Sequence, residues 1–160
     1  MQQQEPLCPK DREYLASQLR GLFQQQLHMV LATHDGTAPY TSLMAFAATA
    51  DLDHLIFVTS RATHKYSNMA AHNQVSALID NRTNRNADYQ SALAVTALGQ
   101  AKEFLGKEKN GPLALFLQRH PELEPFCMAP STALMAIMVR RYILVGRFDE
   151  VHLFDIEPIA

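Results

Sequence analysis

The chain has 160 residues, 48% hydrophobic and 19% charged, with a formal net charge of −2. That length suits one domain with a real core. The near-neutral charge excludes a general electrostatic footprint for nucleic acid or anionic membrane, so any anion site must be local. The N-terminus, "MQQQEPLCPKDREYL", lacks the apolar stretch of a secretory signal. No segment approaches the roughly 18 apolar residues of a membrane span. The expected compartment is a reducing cytoplasm, with Cys8 and Cys127 read as free thiols; the sequence leaves a disulfide between them open.

Residues 9–26 predict a helix: Pro9 suits a first turn, and Leu15, Leu19, Leu22 and Phe23 recur at helical spacing. "HMVLATH" (28–34) predicts a strand, Asp35-Gly36 a hairpin turn, and "APYTSLMAFAAT" (38–49) the return strand. A strand over 54–60, a short helix over about 63–72 and a strand over 74–81 follow, then a polar loop over 81–90. Residues 91–104 read as a strand despite Gly99, and 110–120 as a helix between Pro112 and Pro121. A long strand over 133–148 and a short one over 150–156 complete the chain. Strands in runs argue against a doubly wound parallel sheet. The expectation is a β-rich α+β fold, an antiparallel sheet curled into a barrel with helices outside, because closure removes exposed edges.

The common catalytic signatures are missing: no G-x-G-x-x-G, Walker A, H-E-x-x-H or G-x-S-x-G. The seven histidines form no tight ligand pair, so no metal site is expected. The exception is "TSRATHKYSNM" (59–69), where a strand runs into a helix. Arg61, His64 and Lys65 crowd a helix start, whose dipole disfavours cations by a few tenths to about 1 kcal/mol each. Thr59, Ser60 and Thr63 add hydroxyls, and Asn68 follows about a turn later. Two readings fit: a capped surface helix whose cations face water, or an anion site built on free N–H groups. In "PYTSLMAF" (39–46), Tyr40, Ser42 and Met44 alternate with Thr41, Leu43 and Ala45. If one face is core, the other can admit a flat ligand close to the backbone. Arg140-Arg141 should face opposite sides of a regular strand, or both face water at an edge or bend.

The ordered set "DGTAPYTSLMAF", "LIFVTSRATHKYSNM", "QVSALIDN" and "ALGQAKEF" resembles the pyridoxamine 5′-phosphate oxidase-like family of FMN-binding split barrels. "RRYILVGRFDEV" (140–151) is similar to a C-terminal strand of that family. The resemblance implies a split β-barrel homodimer with FMN at the subunit interface. It implies that Tyr40, Thr41, Ser42 and Leu43 line the flavin, that Thr59 and Ser60 contact phosphate or ribityl, and that Thr63, His64 and Lys65 clamp the phosphate. Asn68, Asn81 and Arg82 join the implied set.

Several family features differ. Thr41 and Phe46 stand where true pyridoxamine phosphate oxidases carry basic residues, and Ala94 where they carry a flavin-contacting glutamine. The chain has no Trp, and no Arg-x-His closes it. The expectation is therefore an FMN-dependent oxidoreductase acting on a small molecule other than pyridoxamine phosphate. The same resemblance admits a non-catalytic flavin or haem binder or sensor, an F420 user, or a structural dimer without cofactor.

Overall fold

A computed structural model describes residues 9–147 and 150–156; Cys8 and the Phe148-Asp149 pair of the C-terminal motif lie outside them. Cys127 is a free thiol. Helix α1 (Pro9–Gln25) buries Leu15, Leu19, Leu22 and Phe23, the stripe its spacing predicts. Strands β1 (His28–His34) and β2 (Pro39–Ala45) form a hairpin pairing Val30 with Leu43 and His34 with Pro39. Asp35 accepts from the N–H groups of Thr37 and Ala38 at 2.7 and 2.8 Å, and Gly36 takes a φ of 93° that favours glycine.

The predicted return strand breaks at Phe46, whose ring is fully buried, before a two-residue β3 (Ala47–Ala48). Strand β4 (His54–Ser60) leads into α2 (His64–Ala71), and β5 (Gln74–Asp80) into a loop containing the short helix α3 (Asp88–Ser91). Strand β6 (Leu93–Glu103) is followed by helices α4 (Asn110–Arg119) and α5 (Glu124–Cys127), with 3-10 turns at Gly106–Lys109 and Pro121–Leu123. Strands β7 (Thr132–Gly146) and β8 (Glu150–Asp155) end the described chain. The 3-10 turns, α3 and α5 carry too few residues for a periodic signal, so the sequence reading passes over them.

The sheet runs β2-β1-β5-β6-β7-β4-β3, all antiparallel, with β8 also on β7. Its two ends, β2 and β3, are successive in the chain, so the corner at Phe46 curls the sheet upon itself. The split lies along β7, which pairs with β4 through Thr132–Met138 and then with β8 through Arg141–Gly146. Between these partners a bulge shifts the register at Leu98/Gly99. The inward set on β7 passes from Ala133, Met135, Ile137 and Val139 to Tyr142 and Leu144. One extra residue reverses the alternation. Both Arg140 and Arg141 are thus kept out of the core, the bend reading of that pair. Gly99 is required here, because a Cβ would stand 2.1 Å from the Met138 carbonyl oxygen.

A second cluster, including Ile56, Val58, Leu134, Ala136 and Phe116, lies where α4 covers the outside of β4 and β7. His120 Nε2 makes a 2.7 Å hydrogen bond with the Phe46 carbonyl, tying the end of α4 to the β2–β3 corner. The architecture is a split antiparallel β-barrel with peripheral helices, as expected. No helix among the described residues is long and apolar enough to cross a membrane.

Candidate functional site

The start of α2 is the centre of the candidate site. Thr63 is its N-cap, extended at φ −92° and ψ 152°, and its hydroxyl accepts from the Tyr66 N–H at 3.4 Å. The same hydroxyl donates to the Ser60 carbonyl at 2.8 Å and lies 3.1 Å from the buried Thr59 hydroxyl. The Ser60 hydroxyl accepts from the Ala62 N–H at 3.2 Å. These hydroxyls shape the turn through bonds to its backbone and, between Thr59 and Thr63, to one another. The N–H groups of His64 and Lys65 make no hydrogen bond within the described residues, as expected of a helix first turn.

Arg61 leaves this end altogether. Its guanidinium pairs with Glu103 and donates to the carbonyls of Pro130 and Thr132 at 3.0 and 3.1 Å. Tyr66 donates its hydroxyl to the other Glu103 oxygen at 2.7 Å. The bond to Glu103 raises the Arg61 pKa, and the same carboxylate raises that of Tyr66. Neither His64 nor Lys65 has an ion-pair partner among the described residues, and no acidic residue stands in the first turn. One of the three basic side chains is therefore neutralised, and two remain beside N–H groups that are free within the described residues. Sequence alone does not reveal the roles of Glu103 and Tyr66, since nothing in it links Glu103 to a turn 42 residues away.

Tyr40 joins β2 to this end, its ring stacking on His64 at a centroid distance of 6.0 Å. On β2, Met44 points into the core, whereas Leu43 is 72% exposed and Thr41 is exposed. Ser42 is half-buried on the same side as Tyr40. The strand that the resemblance places along a flavin is thus an accessible edge beside the helix start. Asn68 lies inside instead: it is buried, and its side-chain amide donates to the Thr33 hydroxyl at 3.1 Å, pinning α2 to β1.

Asn81 and Arg82 are not brought to this cluster. They lie beyond the far end of β5, whose seven residues span about 23 Å at the usual strand rise. Asn81 accepts from the Leu93 N–H at 2.8 Å, and Arg82 pairs with Asp80 at 3.2 Å. Phe46, at one of the family's basic positions, is a buried core ring. Among the described residues no three His, Cys, Asp or Glu side chains gather as a metal site.

Comparison with known proteins agrees with the fold. The fold is similar to the haem-binding protein from Mycobacterium smegmatis (TM-score 0.75, 16% identity), covering 88% of this chain but only 57% of that one. It is similar to General Stress Protein 26 from Bacillus anthracis (TM-score 0.66, 17% identity, 89% and 99% of the two chains). An FAD-binding protein from Mesorhizobium loti gives a TM-score of 0.61 at 17% identity over 81% and 90%. No curated protein matches in sequence. The family model described as pyridoxamine 5′-phosphate oxidase matches residues 15–143, from α1 to near the end of β7. The chain belongs to the pyridoxamine 5′-phosphate oxidase family.

Proposed function

We propose that this chain binds FMN with the cofactor phosphate at the start of α2 and acts as a flavin-dependent oxidoreductase on a small molecule. The carrying observation is the pair of unbonded N–H groups at His64 and Lys65, flanked by two side chains that lack carboxylate partners among the described residues. An anion there meets backbone donors, a helix dipole and charge together. Lys65 and His64 hold the phosphate, with Thr63, Thr59 and Ser60 fixing the turn. Tyr40, Thr41, Ser42 and Leu43 offer the β2 edge to the ring. When bound, the flavin supplies the redox chemistry, and the protein supplies binding and orientation. Thr41, the buried Phe46 and Ala94, with the absence of Trp, direct the activity away from pyridoxamine phosphate.

The chain acts as a cytoplasmic homodimer in this reading. Leu43, Val30, Leu78, Ile143 and Leu153 lie in one cross-strand row with Thr96 on the outer face of the sheet. Leu43 is 72% and Leu78 36% exposed, an aliphatic strip suited to a second copy. Asn81 and Arg82, remote from α2 in their own chain, serve a cofactor only across that interface.

The test is an FMN titration of the purified protein, followed by flavin absorption and fluorescence. Saturable binding that Lys65→Ala weakens supports the assignment. A colourless preparation that takes up no added FMN sinks it. The likeness to a haem-binding protein favours a second reading, a non-catalytic haem binder. A Soret band on haem addition without flavin uptake selects that reading.

A further inference from the structure

We propose that the cleft between α1, β3 and α4 is a second binding site, for a small organic carboxylate with an apolar body. It encloses about 510 Å³ and shares no residue with the candidate flavin site. Phe23, Leu52 and Leu115 wall it with apolar surface, and Ala48 leaves the space open. Arg20 and Arg119 stand in its lining, and among the described residues no Asp or Glu does. Such a cavity, mostly apolar with a few polar groups, is the usual form of a small-molecule site.

The two arginines differ in how far the chain satisfies them. Arg20 pairs with Glu13 at 3.3 Å and donates to the Ala50 carbonyl at 3.2 Å. Arg119 has no carboxylate partner among the described residues. One Nη donates to the carbonyls of Gln24 and Gln26 at 3.1 and 2.6 Å, capping the C-terminal end of α1. Within the described residues its Nε is buried without a partner and the other Nη makes no bond. Burial lowers the Arg119 pKa, so its charge is held at a cost that neutral carbonyls offset only in part. A carboxylate at Arg119 supplies the missing counter-charge, and the wall takes the apolar body. Inorganic phosphate alone makes no use of that wall.

The experiment titrates the ¹⁵N-labelled full chain with benzoate and, in parallel, with its neutral isostere benzamide. The Arg119 Nε–H and the amides of residues 47–50 are followed with and without saturating FMN. Benzoate is expected to shift these resonances saturably, benzamide not, and FMN to leave the curve unchanged. Arg119→Gln and the cleft-filling Ala48→Leu should each weaken benzoate at least about tenfold. Should Arg119→Gln fail to fold, Ala48→Leu decides. Non-saturating benzoate shifts, equal benzamide binding, competition by FMN, or full affinity in a folded Ala48→Leu variant each overturn the proposal.

Discussion

The turns after β4 and β5 look alike in sequence: both follow a strand end, both are polar, and both carry cations. Their structures differ in one respect. After β5, the N–H groups of Thr83, Asn84 and Arg85 converge on the Asp88 carboxylate at 2.8, 2.7 and 3.2 Å, and the Thr83 hydroxyl adds a 2.8 Å bond. The chain has filled its own anion nest. After β4, the N–H groups of His64 and Lys65 are left over among the described residues, and Glu103 is occupied by Arg61 and Tyr66. A backbone anion cradle therefore does not by itself mark a ligand site. What matters is whether a carboxylate of the chain already sits in it.

The largest expected effect comes from removing charge at the unfilled turn. Lys65→Ala should weaken FMN binding about tenfold to a hundredfold, the worth of a charge-assisted contact, while the thermal midpoint stays near wild type. Undiminished affinity by titration contradicts the role of Lys65. A second change makes the two turns alike. Thr63→Asp places a carboxylate at the N-cap, where it can accept from the Tyr66 N–H as Thr63 does. It should lower FMN affinity about tenfold, with a stability change under about 1 kcal/mol because the lost donation to Ser60 offsets the better cap. A variant that binds FMN as well as wild type shows that the phosphate sits elsewhere. A smaller effect, a few-fold loss of FMN affinity, is expected of His64→Gln, which removes the imidazole from the turn. Affinity equal to wild type in the same binding measurement argues against a phosphate contact by His64.

Much of the barrel was legible because its strands obey local rules. β1 appears where alternation places it and β4 where a continuous apolar, β-branched run does, and Asp35-Gly36 makes its turn from its own atoms. The break at Phe46 was not legible, since "MAFAAT" continues the pattern while the corner depends on burying one ring. The bulge was half legible. Gly99 marks it, but its cause is the Met138 carbonyl on another strand. At the site, the cations and the cap could be read, whereas the diversion of Arg61 could not. Its partner sits on β6, and only folding brings the two together. Asn68 went the same way: helical spacing set it one turn from the clamp, and packing against Thr33 turned it inward.

The smallest effect on binding, and the most direct comparison of the two turns, concerns proton exchange of their amides. Bonds from the Thr83 N–H first, then from its hydroxyl and from Arg85 and Asn84, hold the Asp88 carboxyl below the usual aspartate range. A depressed carboxyl stabilises the fold above its unfolded value, and that contribution drains away as pH falls through the folded value. The amides of Thr83, Asn84 and Arg85 should therefore be protected near neutral pH and lose protection only in acid. Asp88→Asn should expose them at all pH values without altering FMN affinity, because that nest holds no ligand. The amides of His64 and Lys65 should behave oppositely, exchanging freely in the apoprotein and slowing about tenfold or more once FMN is added. If those two amides are equally slow without FMN, the α2 turn is already satisfied from within. The distinction between a filled nest and an open one is then lost.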